Sequence, residues 1–249
     1  MDFGLDTIFN EDCLVGMKRI PDNSVDAIIC DLPYGTTACK WDSVIPFEPL
    51  WEQYKRVTKP NAAIVLFGQE PFSSMLRMSN IAWFRYDWIW DKVTATGMNN
   101  AKSQPMREHE VISVFSKVKA IYNPQMEKME KGRTYKCYKA SDVNPLTYYD
   151  GKIRTTNEKY PKSILRFSNA DHTNRHHPTQ KPVDLIAYLI RTYSNEGEIV
   201  LDNCMGSGTT AIAAMREHRH FIGFELNKEY YDKACERIRN EQAQLTLQL

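Results

Sequence analysis

Residues 62–67 read Ala-Ala-Ile-Val-Leu-Phe, with none of the polar alternation of a strand that has one wet face. Val25–Cys30 is a second, mainly apolar run of strand length. Strands of this kind must be covered on both faces, which is the habit of parallel sheets flanked by helices. Between them, apolar residues at 47, 50, 51, 54 and 57 give a helical period over residues 47–58. Strand, helix and strand in that order predict an α/β fold with a mostly parallel sheet.

The rest of the chain extends the pattern. Residues 7–10 read as a short strand, followed by helical spacing at Leu14, Met17 and Ile20. Lys59-Pro60-Asn61 is expected to stop the helix before the 62–67 strand. A short helix is predicted over 72–78 and strands over 86–90 and 111–115, the second antiparallel at a sheet edge. The polar stretch 94–107 reads as a mobile loop. Helices are predicted over 183–194 and 209–218, with strands over 199–201 and 221–224. Asn227 caps a last amphipathic helix, with Tyr230, Tyr231, Ala234 and Ile238 inward. From Lys117 to about His177 periodicity is lost, and an irregular insert is expected there.

Composition bounds the function classes. The 249 residues suit one sizeable α/β domain with an insert. No apolar run reaches membrane-spanning length, and the first residues do not resemble a secretory signal. The six cysteines are scattered without a C-x-x-C pair, so neither a zinc ribbon nor a disulfide framework is indicated, and a reducing cytoplasm is expected. The net charge of +1 conceals an asymmetry. Lys117 to Lys181 carries 14 Lys/Arg against 6 Asp/Glu, a balance of +8, and the remainder has 18 against 25, or −7. Tyrosines 122, 135, 138, 148, 149 and 160 are interleaved with those bases. Basic and aromatic residues together suit nucleic acid, through phosphate pairing and base contacts. His172, His176 and His177 read as exposed or phosphate-contacting, and no metal is predicted. The tryptophans at 83, 88 and 90 read as core or strand-face residues.

Two stretches carry chemistry. Asp31-Leu32-Pro33-Tyr34 follows the Val25–Cys30 strand, at the rim where open α/β sheets hold ligands. The carboxylate accepts a hydrogen bond from an amino group, Pro33 restrains the backbone, and Tyr34 offers a flat stacking face. These parts suit a nucleobase with an exocyclic amine, taken out of its helix. The second stretch, residues 200–210, has strand–glycine turn–helix form through Asp202, Gly206 and Gly208, and Glu225 ends the following strand. Glycines admit a ligand to the backbone amides of a helix start, and a strand-end acid can take both ribose hydroxyls. The turn lacks the lysine of a P-loop, which disfavours nucleoside triphosphate hydrolysis.

Together these motifs resemble the β class of AdoMet-dependent DNA amino-methyltransferases. That family's D-P-P-Y matches Asp31-Leu32-Pro33-Tyr34, and its D-P-F-x-G-S-G-T-T matches Asp202 to Thr210. Its H-P-T-Q-K-P matches His177 to Pro182 in full, with catalytic motif first and cofactor motif near the C-terminus. Leu32 replaces a proline, and Asn203-Cys204 replaces Pro-Phe. The resemblance implies a Rossmann-like methyltransferase fold in permuted motif order, with S-adenosylmethionine as methyl donor. It implies catalysis by Asp31, Leu32, Pro33 and Tyr34. It implies cofactor contacts from Asp202, Cys204, Gly206, Ser207, Gly208 and Thr209, a ribose contact from Glu225 beside Leu226, and an adenine contact from Asp12 beside Cys13. Thr179 and Lys181 would hold the cofactor's carboxylate, and residues 118–176 would recognise the target. The partner implied is double-stranded DNA with the target base flipped, in a prokaryotic or phage-infected cell. A homodimer and a separate restriction nuclease are further partners compatible with the resemblance.

The leading aspartate favours N6 of adenine over N4 of cytosine, for which serine is commoner in the family. RNA or a side-chain amide are other acceptors for the same fold. A non-catalytic DNA-binding module and, far lower, a nicotinamide oxidoreductase are the rivals from other classes.

Overall fold

The computed structural model describes residues 4–35, 43–139, 148–169 and 180–246. The motif residue Thr179, the three histidines at 172, 176 and 177, and Cys39 lie outside the described residues. Two compact units are formed, Met1–Asn123 with Ser163–Leu249, and Pro124–Lys162.

In the larger unit the strands are β1 (Thr7–Phe9), β2 (Val25–Cys30), β3 (Thr58–Gly68), β4 (Phe84–Thr96) and β5 (Arg107–Phe115). β6 (Glu127–Lys139) and β7 (Tyr148–Lys159) belong to the smaller unit. β8 (Ile164–Arg166), β9 (Ile199–Asp202) and β10 (His220–Phe224) complete the set. One sheet runs β1-β10-β9-β2-β3-β5-β4-β8. Pairing is parallel from β1 through β3 and between β4 and β8, and β5 runs antiparallel to both β3 and β4.

Alternate residues of β2 and β3 feed two cores. Ile29, Ala63, Val65 and Phe67 pack on α4 (Val183–Tyr193), α5 (Thr209–Arg216) and α6 (Lys228–Thr246) through Leu185, Leu189, Ile190, Ile212 and Ala234. Ile28, Cys30, Ile64 and Leu66 pack on α1 (Cys13–Gly16), the 3₁₀ turn after it (Met17–Arg19), α2 (Phe47–Val57) and α3 (Phe72–Ser79) through Cys13, Met17, Leu50, Tyr54, Phe72 and Leu76. Burial on both faces is why these strands carry so little polarity. Asp26 is the exception inside β2. It is 4% exposed, pairs with Lys59 Nζ at 2.6 Å and accepts the Ile199 amide at 3.0 Å. Its carboxylate therefore ties β2 to both neighbours where the β2–β3 register slips.

Several expectations need correcting. Lys59-Pro60-Asn61 lies inside β3, because Lys59 reaches back to Asp26. β5 is antiparallel but lies between β3 and β4, and β8 is the strand beyond β4. The polar stretch 94–107 is partly ordered. β4 continues to Thr96, which pairs with Arg107, and a 3₁₀ turn covers Met98–Asn100. Within the stretch expected to be irregular, Glu127–Lys139 and Tyr148–Lys159 pair as the antiparallel strands β6 and β7 of the smaller unit, and Ile164–Arg166 pairs with β4 as β8 of the larger one. β6 and β7 are polar on both faces, so the alternation that marks a half-buried strand is missing from the sequence. Among the described residues no helix is long and apolar enough to cross a membrane.

Leu66 is fully buried in the second core. Leu66→Ala is expected to lower unfolding free energy by about 2–5 kcal/mol, read as a lower denaturant midpoint at unchanged slope.

Candidate active site

β2 and β9 lie side by side, with Ala27 opposite Val200 and Ile28 opposite Leu201. Their carboxyl ends therefore deliver Asp31 and Asp202 to one rim. The ends of β1 and β10 add Asp12 and Glu225. A cavity of about 830 Å³ opens there. Its wall includes Asp12, Cys13, Asp31, Leu32, Pro33, Tyr34, Lys181, Asp202, Cys204, Gly206, Ser207, Thr209, Glu225 and Leu226. The sequence motifs thus converge on one space.

The glycine turn is braced by its own acid. Asp202 Oδ1 accepts the Cys204 amide at 3.0 Å and Oδ2 accepts the Thr210 hydroxyl at 2.6 Å. Gly206 has φ +55°, which disfavours side chains, and a Cβ there would meet nothing within 4 Å. It is an open cradle. Gly208 also allows close packing, since a Cβ there would lie 3.2 Å from that of Ala234 on α6. Arg237 of α6 donates to Ser207 O at 3.1 Å and Thr209 Oγ1 at 3.2 Å, and Ser207 Oγ donates to Gln180 at 3.2 Å. Glu225 Oε2 accepts the Gly206 amide at 2.8 Å and Oε1 the Asn227 amide at 2.7 Å. Asp12 caps α1 by accepting the Leu14 amide at 2.8 Å. Leu226 is exposed at the rim.

The two departures from the family's cofactor motif are accommodated locally. Asn203 is buried, accepts the Tyr54 hydroxyl, and donates toward Cys13 Sγ at 3.6 Å and Cys204 Sγ at 3.5 Å. Burial pushes the Cys30 thiol up to about 12, in keeping with a core residue.

On the catalytic side, Asp31 Oδ1 accepts the Tyr34 hydroxyl at 2.6 Å and Oδ2 accepts Lys181 Nζ at 2.6 Å. Leu32 is 3% exposed and packs in the second core, so the residue in place of the family's proline anchors the loop by burial. Sequence reasoning assigned Lys181 to the cofactor's carboxylate. The structure puts its ammonium against Asp31 and, at 3.2 Å, against Glu110 of β5. Burial raises the Asp31 carboxyl, opposed by the Lys181 charge. Burial disfavours the Lys181 ammonium, but Asp31 and Glu110 outweigh it and hold its pKa above the ordinary lysine value. Glu110, Lys92, Gln69 and Trp90 also line this cavity and were missed from sequence. The available signal was a charge set in or beside an apolar strand, at Lys92 and Glu110. Among the described residues, no group of three or more His, Cys, Asp or Glu is arranged to hold a metal ion.

A family model, N6_N4_Mtase, described as DNA methylase, matches residues 25–236. The chain belongs to this DNA methylase family. The methylase is 30% identical over 241 residues to Type II methyltransferase M.HpaI of Haemophilus parainfluenzae, covering 90% of this chain and 71% of the relative. It superposes on the solved M1.HpyAVI–SAM complex with a TM-score of 0.63 and 26% identity, over 93% of this chain and 98% of that one. PvuII DNA methyltransferase, which is cytosine-N4-specific, shares the fold with a TM-score of 0.67 at 16% identity, over 94% and 90% of the chains. The methylase is thus a β-class DNA amino-methyltransferase, as its motif order implied.

Burial raises the Asp202 carboxyl to about 6 despite the Thr210 and Cys204 hydrogen bonds. A carboxyl raised on folding stabilises the fold fully below its unfolded value, and that contribution is lost as pH rises through the folded value. Asp202→Asn is expected to remove this component, flattening the fall in urea midpoint between about pH 4 and about pH 6.

Proposed function

We propose that this methylase uses S-adenosylmethionine to methylate N6 of adenine in double-stranded DNA, on a base turned out of the helix. The observation that carries the reading is the opening of Asp31 and the Gly206 turn into one cavity. The residues fit the cofactor. Gly206 leaves an uncrowded backbone, and the acids of Glu225 and Asp12 line the same wall. Asp202, Gly206 and Gly208 would line its methionine end, with Cys204, Ser207 and Thr209 beside them. Glu225 and Leu226 would hold the ribose, and Asp12 with Cys13 the adenine. S-adenosylmethionine supplies a methyl group made electrophilic by its sulfonium.

The protein supplies position and electrostatics. The lone pair of an exocyclic amine is delocalised into its ring. Asp31 and the Leu32 or Pro33 carbonyl would accept its two N–H bonds, draw the nitrogen toward tetrahedral geometry and free the lone pair to take the methyl group. As the N–C bond forms the sulfonium's S–CH3 bond would break, S-adenosylhomocysteine would leave, and the amine would give up one proton to solvent by way of Asp31. Tyr34 stacks on the extruded base. Aspartate at the head of the motif favours adenine. Cytosine N4 is the second reading, favoured by the fold shared with the PvuII enzyme.

We assign target recognition to residues 118–176, within which the β6–β7 hairpin presents a basic face. Arg133 lies over the Tyr135 ring at 5.6 Å, and Tyr135 stands opposite Arg154 across the hairpin. Pairs opposite one another share a face, so both cations flank one exposed ring. A separate cognate nuclease belongs to the same reading, and sedimentation of the purified protein decides between monomer and homodimer.

Labelled methyl transfer to unmethylated DNA, followed by nucleoside mass spectrometry, tests the acceptor. N6-methyladenine is the expected product, and N4-methylcytosine overturns the choice of base. Asp31→Ala is expected to lower the transfer rate by about 10³-fold with S-adenosylmethionine binding retained. Near-normal transfer by that variant would sink the catalytic assignment. Replacing Arg133 and Arg154 together by Ala should weaken DNA binding and reduce the salt slope of log affinity by about 0.9 for each phosphate that is no longer neutralised.

A further inference from the structure

Four ionisable side chains meet in the part of the cavity beyond Tyr34. Lys181, 8% exposed, lies between Asp31 and Glu110. Glu110, also 8% exposed, has Lys92 Nζ 3.5 Å from Oε1 and the Gln69 amide 3.3 Å from the same oxygen. Glu110 Oε2 faces Lys181 Nζ at 3.2 Å, yet it accepts no well-directed hydrogen bond. The Lys181 ammonium is ringed by Phe67 at 5.2 Å, Tyr34 at 5.8 Å and Trp90 at 5.9 Å. Two carboxylates and two ammoniums balance the charge of the cluster.

This arrangement meets a difficulty on the catalytic side. Both oxygens of Asp31 are already engaged, by Tyr34 and by Lys181. A carboxylate oxygen can accept a second hydrogen bond, but an incoming amine that shares Oδ2 competes with Lys181 for it and loosens the hold of the ammonium on Asp31. Releasing Lys181 into an apolar cage with no second acceptor would leave a buried charge unpaired, which is costly. Glu110 Oε2 is that second acceptor, already close and short of a hydrogen bond. The aromatic faces attract the ammonium at either position.

We propose that Glu110 is a positioning residue for methyl transfer: it receives the Lys181 ammonium when the substrate amine takes Asp31 Oδ2. Lys92 and Gln69 hold Glu110 in place for this exchange. The inference rests on the reading of Asp31 as the group that receives the amine. No proton need change owner, because the ammonium moves from one carboxylate to the other.

The test is steady-state kinetics on DNA with the full chain, together with calorimetric binding of S-adenosylmethionine. Glu110→Gln is nearly isosteric and keeps an acceptor for Gln69 and Lys92, but has no charge for Lys181. It is expected to lower kcat by about 10²-fold while KM for DNA and Kd for S-adenosylmethionine stay within about twofold. Glu110→Asp, which restores the charge, is expected to recover most of the loss. An unchanged kcat in Glu110→Gln, an equal loss in both variants, or a loss of cofactor binding in step with kcat would overturn the proposal. If Glu110→Gln does not fold, Lys92→Met is the second variant. It removes the cation that holds Glu110 in place to receive Lys181, so a fall in kcat at constant cofactor binding supports the exchange and an unchanged kcat overturns it. Wild-type protein that binds S-adenosylmethionine and methylates no DNA sinks the parent reading, whereas an active wild type with any overturning result above sinks this inference alone.

Discussion

The parallel pairing of β2 with β9 is the contact on which the site depends. It sets Ile28 beside Leu201 and so brings two loops far apart in the chain to the same rim. Each strand is apolar on both faces and must be buried between helices. The Asp26 carboxylate secures the join from within, holding the Ile199 amide and the Lys59 ammonium. Slipping this pairing by one residue would turn the inward side chains of each strand to the opposite face and misplace both loops.

Once the rim is assembled, its polar groups are held largely by one another. Asp202 stays beneath the glycine turn by accepting from Cys204 and Thr210, and Glu225 binds the Gly206 amide. The turn is therefore rigid before any ligand arrives, which lowers the ordering cost of binding. The catalytic side is organised differently. Asp31 is held by a hydroxyl and an ammonium, both on side chains able to yield.

Much of this was legible in the residue order. The apolar strands, the α2 and α4 periodicities, the Asn227 cap and the D-L-P-Y and glycine-turn motifs rest on local pattern, and the structure forms the elements near where they were read, with β3 starting earlier, at Thr58. The hairpin of β6 and β7 was not legible, because polar strands give no period-two signal. Gly208 illustrates a subtler limit. Its motif suggests a ligand contact, and its Cβ space is in addition taken by Ala234 of α6, which follows in the chain at no fixed spacing.

By itself the sequence determined the strand and helix alternation, the acid at the end of β2 and the glycine turn at the end of β9, since each depends on neighbours within a few residues. Only the tertiary structure decided that Lys181 faces Asp31 and that Glu110 and Lys92 stand behind it. β5 runs antiparallel between β3 and β4, which puts its Glu110 end and the Lys92 end of β4 at the rim reached by the carboxyl end of β3. Strand direction and order are set by the packing of whole elements, and buried charges find partners through space rather than along the chain.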